Sequence, residues 1–569
     1  MNAHADPGHA ALDADLAALD GAKDAWARTP VADRITLLKD IKRLTGQVAH
    51  AWGETAARKK GLAPNAPQAG EEWLSGPYAV LRACDGLIRT LEGLQGRQYL
   101  RGLKKRYLPH GQLAVEVVPA TPRDALIMPG LRAEVWMREG VSEANLPGTT
   151  ATAYDTPEAE RTGALALVLG AGNIASIPVL DVFQKLFVEN QVVLLKMNPV
   201  NAYLADVFQV ALGPLVARDA LRIVTGGGDV GAYLCEHAAV EEIHITGAEA
   251  THDLIVWGAG KEGKRAKAAG TPRNTRRVTS ELGAVCPTII VPGPWSRADI
   301  AHQAAQVATQ KMVNAGFNCV STQVLLLPEV WAQKEPFLRA MKRVLAAQDR
   351  PAYYPGATDR SAAFAAGAPH EAIPRGTAPD FIFSEGVGGE FAQTEVFAHA
   401  LSTHDIAGEG EAFLRAAIAY ANDTLHGTLG ANIVIHPETL AEIGKACFDA
   451  CLRELRYGNI AVNAWTGASF ALTEIPWGAF PGHTLEDVQS GIGTVHNTFM
   501  FEASERTVLY GPWAPIPRAW WLGERHLMPK PPWFVTHRHA DKVARALVDY
   551  TATGRPARLA ALLWHALRG

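Results

Sequence analysis

Few groups in this chain can do covalent chemistry. Six cysteines (Cys84, Cys235, Cys286, Cys319, Cys447 and Cys451) are scattered over 569 residues, with no CxxC pair and no disulfide-dense segment. Each is either a small buried apolar residue or a reactive thiol. Cys447 and Cys451 lie four apart on an expected helix, AEIGKACFDACLREL, where core packing explains them better than a metal site with only two ligands. Three glycine turns could present backbone amides to phosphate. They are Gly170, Gly172 and Ala175 in a GxGxxA pattern, Gly226, Gly228 and Gly231 in GxGxxG, and the Thr246-Gly247 turn that ends EEIHITG. Glycine patterns of this kind are common in turns and do not by themselves choose a loop.

The elements that must hold these groups alternate. ALALVLGAG, QVVLLKM, LRIVTGG and EEIHITG read as strands, and IASIPVLDVFQKLFVEN between the first two reads as a helix. Strands that are nearly all apolar and separated by helices imply a parallel sheet covered on both faces. PTIIVPG, TQVLLLPE, FIFSEG and GANIVIHP suggest a second α/β region. The first hundred residues are mainly helical, opening with ALDADLAALDGAKDAWARTPVADRITLLKDIKRL, and LAVEVVPA marks a β-prone stretch after them. At 48% hydrophobic and 20% charged, the chain is too apolar for disorder and long enough for two or three domains.

The balance of 54 Lys plus Arg against 58 Asp plus Glu gives a net charge of -4 and no general reason to expect a nucleic-acid or membrane partner. No apolar run approaches the roughly 18 residues that span a bilayer. The start, MNAHADPGHA, lacks the pattern of a secretory signal, so a soluble cytoplasmic protein is expected. Residues 502 to 569 differ from the rest, with five Trp and ten Lys or Arg against five Asp or Glu. This basic, Trp-rich tail is expected to pack over another domain or subunit, with assembly as its role.

The segments Val278-Thr279-Ser280-Glu281-Leu282-Gly283 and Asn314-Ala315-Gly316-Phe317-Asn318-Cys319, with Gly172-Asn173 before them, resemble the aldehyde dehydrogenase superfamily. The resemblance runs in order from about Trp26 to Asn497. It includes Lys196, Thr246-Gly247, Glu395-Val396-Phe397, the stretch Asn422 to Gly427, Asn463 and Pro476-Trp477-Gly478. It implies an α/β aldehyde dehydrogenase-like fold: a Rossmann-like cofactor domain, an α/β catalytic domain and a small oligomerisation element. The expected boundaries are 1–283 for the cofactor domain, interrupted near 130–158 by part of the oligomerisation element, then 284–485 for the catalytic domain. Residues 486–569 return to the oligomerisation element and carry the extension.

The same resemblance implies NAD- or NADP-dependent oxidation of a small-molecule aldehyde to a carboxylic acid by a homodimer or homotetramer. Cys319 would be the nucleophile, Asn173 and the Cys319 amide the oxyanion donors, and Glu281 the base that deacylates the thioester. Lys196, Thr246, Gly247, Leu282, Glu395 and Phe397 would bind the dinucleotide, the Thr246-Gly247 turn being preferred over the two more conspicuous glycine patterns. Several positions depart from the family. Gly170-Ala171-Gly172 replaces a Pro-Trp, and Ala284-Val285 replaces the usual Gly-Lys. Lys196-Met197-Asn198-Pro199 lacks the carboxylate that often meets the adenosine ribose, so nothing there repels a 2′-phosphate. The departures admit an acyl-CoA-linked reductase or a noncatalytic scaffold as alternatives. Retention of Glu281 favours hydrolysis.

Overall fold

The computed structural model describes residues 8–569; the first seven residues of the MNAHADPGHA start lie outside the described residues. Two sheets organise the chain. The first has six strands, in the order Gly491–Ile492, Arg277–Leu282, Glu242–Gly247, Leu165–Leu169, Val192–Lys196 and Leu221–Val224. All of its pairings are parallel except that of the short edge strand Gly491–Ile492. Every residue of Val192–Lys196 is buried, as a strand covered on both faces requires. The helices His9–Ala27 and Val31–Lys59 form a layer on this sheet. They bury Leu12, Leu16, Leu19, Leu38 and Ile41 in the same core as Leu165, Leu167 and Leu194.

The second sheet has eleven strands. Its central parallel part runs Asn459–Val462, Gly430–Val434, Cys286–Ile290, Thr322–Pro328, Ala400–Ile406 and Ala378–Glu385, and the antiparallel His370–Arg375 closes one edge. Beyond Asn459–Val462 the sheet continues through Ser504–Tyr510, Arg132–Met137, Leu113–Val118 and Lys105–Tyr107. The stretch LAVEVVPA therefore becomes a strand of the same ladder that carries the cysteine region.

The tail folds back on its own chain. Helix Ala540–Thr553 buries Val543, Ala544, Leu547 and Val548 against the helical layer, sharing a core with Trp73, Tyr78 and Leu81. The approach is close: a Cβ on Gly70 would lie 2.6 Å from the Ala540 carbonyl carbon, and one on Gly46 2.9 Å from Ala552 Cβ. Arg545 lies 4.0 Å over the Trp73 ring. Among the described residues no helix is long and apolar enough to cross a membrane.

Candidate active site

Helix Arg297–Met312 delivers Cys319. It starts with a capping box, in which Ser296 Oγ accepts from the Asp299 amide (3.2 Å) and Asp299 Oδ2 from the Ser296 amide (2.8 Å). It ends in a tight turn where Asn314, Ala315 and Gly316 all have left-handed backbones, with φ of 52°, 55° and 82°. Asn and Gly tolerate that region, whereas Ala315 is held there at a cost of about 1 kcal/mol. Asn314 over-determines the turn. Its amide donates to Glu71 Oε2 (2.7 Å), its Nδ2 donates to the carbonyls of Asn173 (3.1 Å) and Phe317 (2.9 Å), and its Oδ1 accepts from Lys60 Nζ and Tyr353 OH, both at 2.9 Å. Among side chains only a carboxamide supplies two donors and a twofold acceptor, and Gln would carry it one methylene further out.

Behind Asn314 stand two buried ion pairs, Lys60 with Glu72 (2.9 Å) and Arg350 with Glu71 (2.9 Å). Lys60 also donates to the Asn173 carbonyl (3.0 Å). Asn173 thus reaches the cysteine loop, where its Nδ2 donates to the Phe317 carbonyl (3.1 Å), leaving a second N–H on the amide.

Cys319 itself is half-buried, and its carbonyl accepts from the Cys286 thiol (3.4 Å). Burial first and the neighbouring Glu281 carboxyl second push its thiol well above its usual range. Glu281 is buried on strand Arg277–Leu282, and its Oε1 accepts from the Trp477 indole (3.1 Å). Burial raises this carboxyl to about 7, the Cys319 and Trp477 hydrogen bonds oppose that rise, and the Asp181 charge adds to it. Of the remaining cysteines, Cys84, Cys235, Cys286 and Cys451 are buried, and Cys447 is half-buried beside Arg415.

The predicted cofactor residues gather more loosely. A cleft of about 780 Å³ opens at the carboxyl ends of Leu165–Leu169, Val192–Lys196 and Glu242–Gly247, the position where open parallel sheets bind ligands. Lys196, Thr246 and Gly247 line it, and so do Gly170, Gly228 and Gly231. The first two glycine patterns therefore share the cleft with the preferred turn. Added Cβ atoms at Gly228 and Gly231 would meet nothing within 4 Å, so these glycines face open space. Helix Glu249–Trp257 starts beside the cleft after Ala248, and Arg273 and Arg276 line the wall. Amides at helix starts together with cationic side chains fit a pyrophosphate-bearing cofactor. Thr246 spends its hydroxyl proton on Asp181 Oδ2 (3.1 Å).

Leu282 differs from the other predicted contacts: its side chain is buried and its amide donates to the Ser490 carbonyl (2.9 Å). Glu395 packs so closely on Gly283 that a Cβ there would lie 2.0 Å from Glu395 Oε2. Burial first and the Glu281 charge second raise Glu395 to about 8. Phe397 stacks near both Phe317 (5.6 Å) and Tyr354 (5.0 Å), and Tyr354 lines the cleft. This aromatic group joins the cleft to the cysteine loop. Gly172 is required by closeness too, since its Cβ would lie 2.7 Å from Asn198 Oδ1.

Several residues escape a reading of the sequence. Trp477 carries no assigned role there, yet it holds Glu281. Lys60, Glu71, Glu72, Arg350 and Tyr353 look in one dimension like ordinary polar residues, with only their buried pairing to mark them. Lys311 is buried with no hydrogen-bond partner for Nζ, and burial lowers it to about 7 against the pull of the Glu395 carboxyl. Among the described residues no cluster of His, Cys, Asp and Glu could hold a metal ion.

A model of the aldehyde dehydrogenase family matches residues 175–349, which include Glu281, the helix and turn before Cys319, and Cys319 itself. The D-glyceraldehyde dehydrogenase (NADP(+)) of Picrophilus torridus is 26% identical over 115 residues, and that alignment spans 20% of each chain. The solved aldehyde dehydrogenase KauB of Pseudomonas aeruginosa aligns with a TM-score of 0.58 at 17% identity, covering 89% of both chains. A Mycobacterium tuberculosis aldehyde dehydrogenase complexed with NAD+ gives 0.59 at 17% identity, covering 89% of this chain and 90% of that one. The gamma-glutamyl-gamma-aminobutyraldehyde dehydrogenase of Burkholderia cenocepacia gives 0.57 at 19%, covering 89% of each. The family segment thus runs through the cysteine loop, and over nearly its whole length the chain shares the fold of solved aldehyde dehydrogenases.

Proposed function

We propose that this protein oxidises an aldehyde to a carboxylic acid with NAD or NADP, through covalent intermediates on Cys319. The observation that carries this reading is the contact between the Cys319 thiol and the buried Glu281 carboxyl, next to a loop that the cleft-lining aromatics touch. Cys319 is protonated at rest, so it needs a base when it attacks. Glu281 takes the thiol proton as the S–C bond forms, and the carbonyl oxygen becomes an oxyanion that accepts from the second Asn173 N–H and the Cys319 amide.

A nicotinamide dinucleotide, when bound by the cleft lined by Lys196, Thr246 and Gly247, supplies the two-electron acceptor that turns the Cys319 adduct into a thioester. Glu281 then removes a proton from water as the water attacks the acyl carbon, and the C–S bond breaks to release the acid and regenerate the thiol. A carboxyl near 7 can load and unload a proton at neutral pH, which both half-reactions require. Glu395 and Phe397 are the proposed nicotinamide-side contacts. Pro199 leaves no carboxylate to repel a 2′-phosphate, which supports use of NADP alongside NAD.

The test is reduced-nicotinamide formation from a panel of aldehydes with each dinucleotide, by the parent and by Cys319→Ser. Loss of at least about a thousandfold is expected on substitution. An unchanged rate overturns the reading.

A further inference from the structure

Cys319 lines a second cavity of about 500 Å³, which shares no lining residue with the dinucleotide cleft. The wall is almost entirely carbon. Trp465, Phe470, Trp477, Ile174 and Ile177 line the cavity together with Cys319. The few polar groups on the wall are already engaged. Glu71 is held by Arg350 and Asn314, Ser75 donates to the Glu71 carbonyl (2.7 Å), Tyr78 OH accepts from Arg82 (3.3 Å), Asn318 donates to the Val313 carbonyl (2.8 Å) and Lys530 to the Thr536 carbonyl (3.2 Å). The exception is the Trp465 indole N–H, which is buried without a partner.

A large part of this wall comes from the C-terminal tail. Leu547 of helix Ala540–Thr553 and Leu562, Leu563, Ala566 and Leu567 near the terminus all line it, as do Leu527 and Trp533. The mouth is marked by apolar residues that line the cavity and also reach solvent: Leu126 (48% exposed), Leu527 (62%), Leu563 (40%) and Leu567 (64%). The same tail grips the helix that delivers the cysteine. Trp513 and Arg518 both hydrogen-bond to Asp299, and the Val535 amide donates to Thr309 Oγ1 (3.1 Å).

We propose that this cavity is an acyl channel selecting aldehydes with a long apolar chain, and that the tail, residues 511–569, is the part of the molecule that sets this selectivity. The proposal rests on the reading of Cys319 as the nucleophile. A cavity of this size holds a drug-sized ligand, and a two- or three-carbon aldehyde would leave most of it unfilled. A polyhydroxylated aldehyde would bury most of its hydroxyls against carbon, since the wall offers only a few free donors, the Trp465 indole, the Tyr78 hydroxyl and the spare Lys530 N–H groups, against a lining of apolar side chains. An alkyl chain running from Cys319 toward Leu567 loses no hydrogen bond and removes its surface and that of the wall from water.

The experiment measures kcat/KM for straight-chain aldehydes from propanal to dodecanal, and for glyceraldehyde, with the parent, Cys319→Ser, Leu563→Asp and Leu567→Asp. The parent is expected to gain about fourfold per added methylene until the channel fills, and to use glyceraldehyde more poorly than propanal. Each aspartate variant is expected to lower the decanal-to-propanal ratio at least about tenfold, and melting curves matching the parent's show that these half-exposed positions leave the fold intact. Cys319-dependent turnover that is flat with chain length overturns the channel but leaves the oxidation reading standing. A ratio unchanged in both aspartate variants overturns the role of the tail. Turnover that survives Cys319→Ser overturns the catalytic reading on which the channel rests.

Discussion

Glu281 is the residue at which the two proposed half-reactions meet, and its burial gives it a pH signature. Only the carboxylate can take a proton from water, and burial favours the neutral acid, so deacylation is expected to rise with pH through about 7. Glu281→Gln is expected to lose about 10²- to 10⁴-fold in steady-state rate and, because the same carboxylate takes the Cys319 proton, to lose the fast burst of reduced nicotinamide as well, measured by stopped flow. The same shift appears in stability. A carboxyl whose folded pKa is raised stabilises fully below its unfolded value of 4.5, and that contribution is lost as pH climbs through the folded value near 7. Denaturant titrations at pH 5 and pH 9 should therefore show Glu281→Gln gaining about 1–3 kcal/mol relative to the parent at the higher pH. The sequence pattern marked Glu281 and Cys319, but their separation of 38 positions conceals the contact, which needs strand Arg277–Leu282 and the cysteine loop to converge.

The element that decides the site is the turn Val313–Gly316, together with the helical layer that supports it. Three successive left-handed residues persist only because Lys60, Glu71 and Tyr353 occupy the hydrogen-bonding groups of Asn314. Lys60→Met would leave Glu72 as a buried unpaired charge, with an expected loss of about 3–5 kcal/mol by denaturant unfolding. Lys60→Met with Glu72→Met is expected to recover most of that stability. Turnover should stay depressed, because the oxygens of Asn173 and Asn314 each still lack one of their donors. A double variant with parental kcat would show the pair to be structural only. At this scale much was legible. ALALVLGAG, QVVLLKM, LRIVTGG and EEIHITG form Leu165–Leu169, Val192–Lys196, Leu221–Val224 and Glu242–Gly247, because an apolar run bounded by glycine or polar residues has few other ways to bury itself. The turn was not legible, since its supports come from residues 60 to 72 and 350 to 353, and no local pattern records a partner that far away.

On the scale of the whole molecule the tail changes meaning. Its composition suggested assembly, and the expectation that it packs over another part of the protein holds within one chain: Trp513 is buried, and the helix Ala540–Thr553 is built into the helical layer. Asp299 shows how far this integration goes, since it caps the helix leading to Cys319 and also binds Trp513 and Arg518 from the tail. Asp299→Ala is expected to destabilise by about 1–3 kcal/mol in thermal or denaturant unfolding, through the lost cap and the orphaned donors. By itself the sequence determined the alternating strands and helices around the cleft, the presence of two α/β regions and the residue types available for chemistry, because these follow from local periodicity and composition. Which of six cysteines meets a buried carboxylate, which glycine turns share one cleft, and that the last sixty residues help to line a cavity that Cys319 also lines were decided only by the tertiary structure. Those are contacts between segments tens to hundreds of residues apart, set by sheet pairing and core packing that the order of residues encodes only collectively.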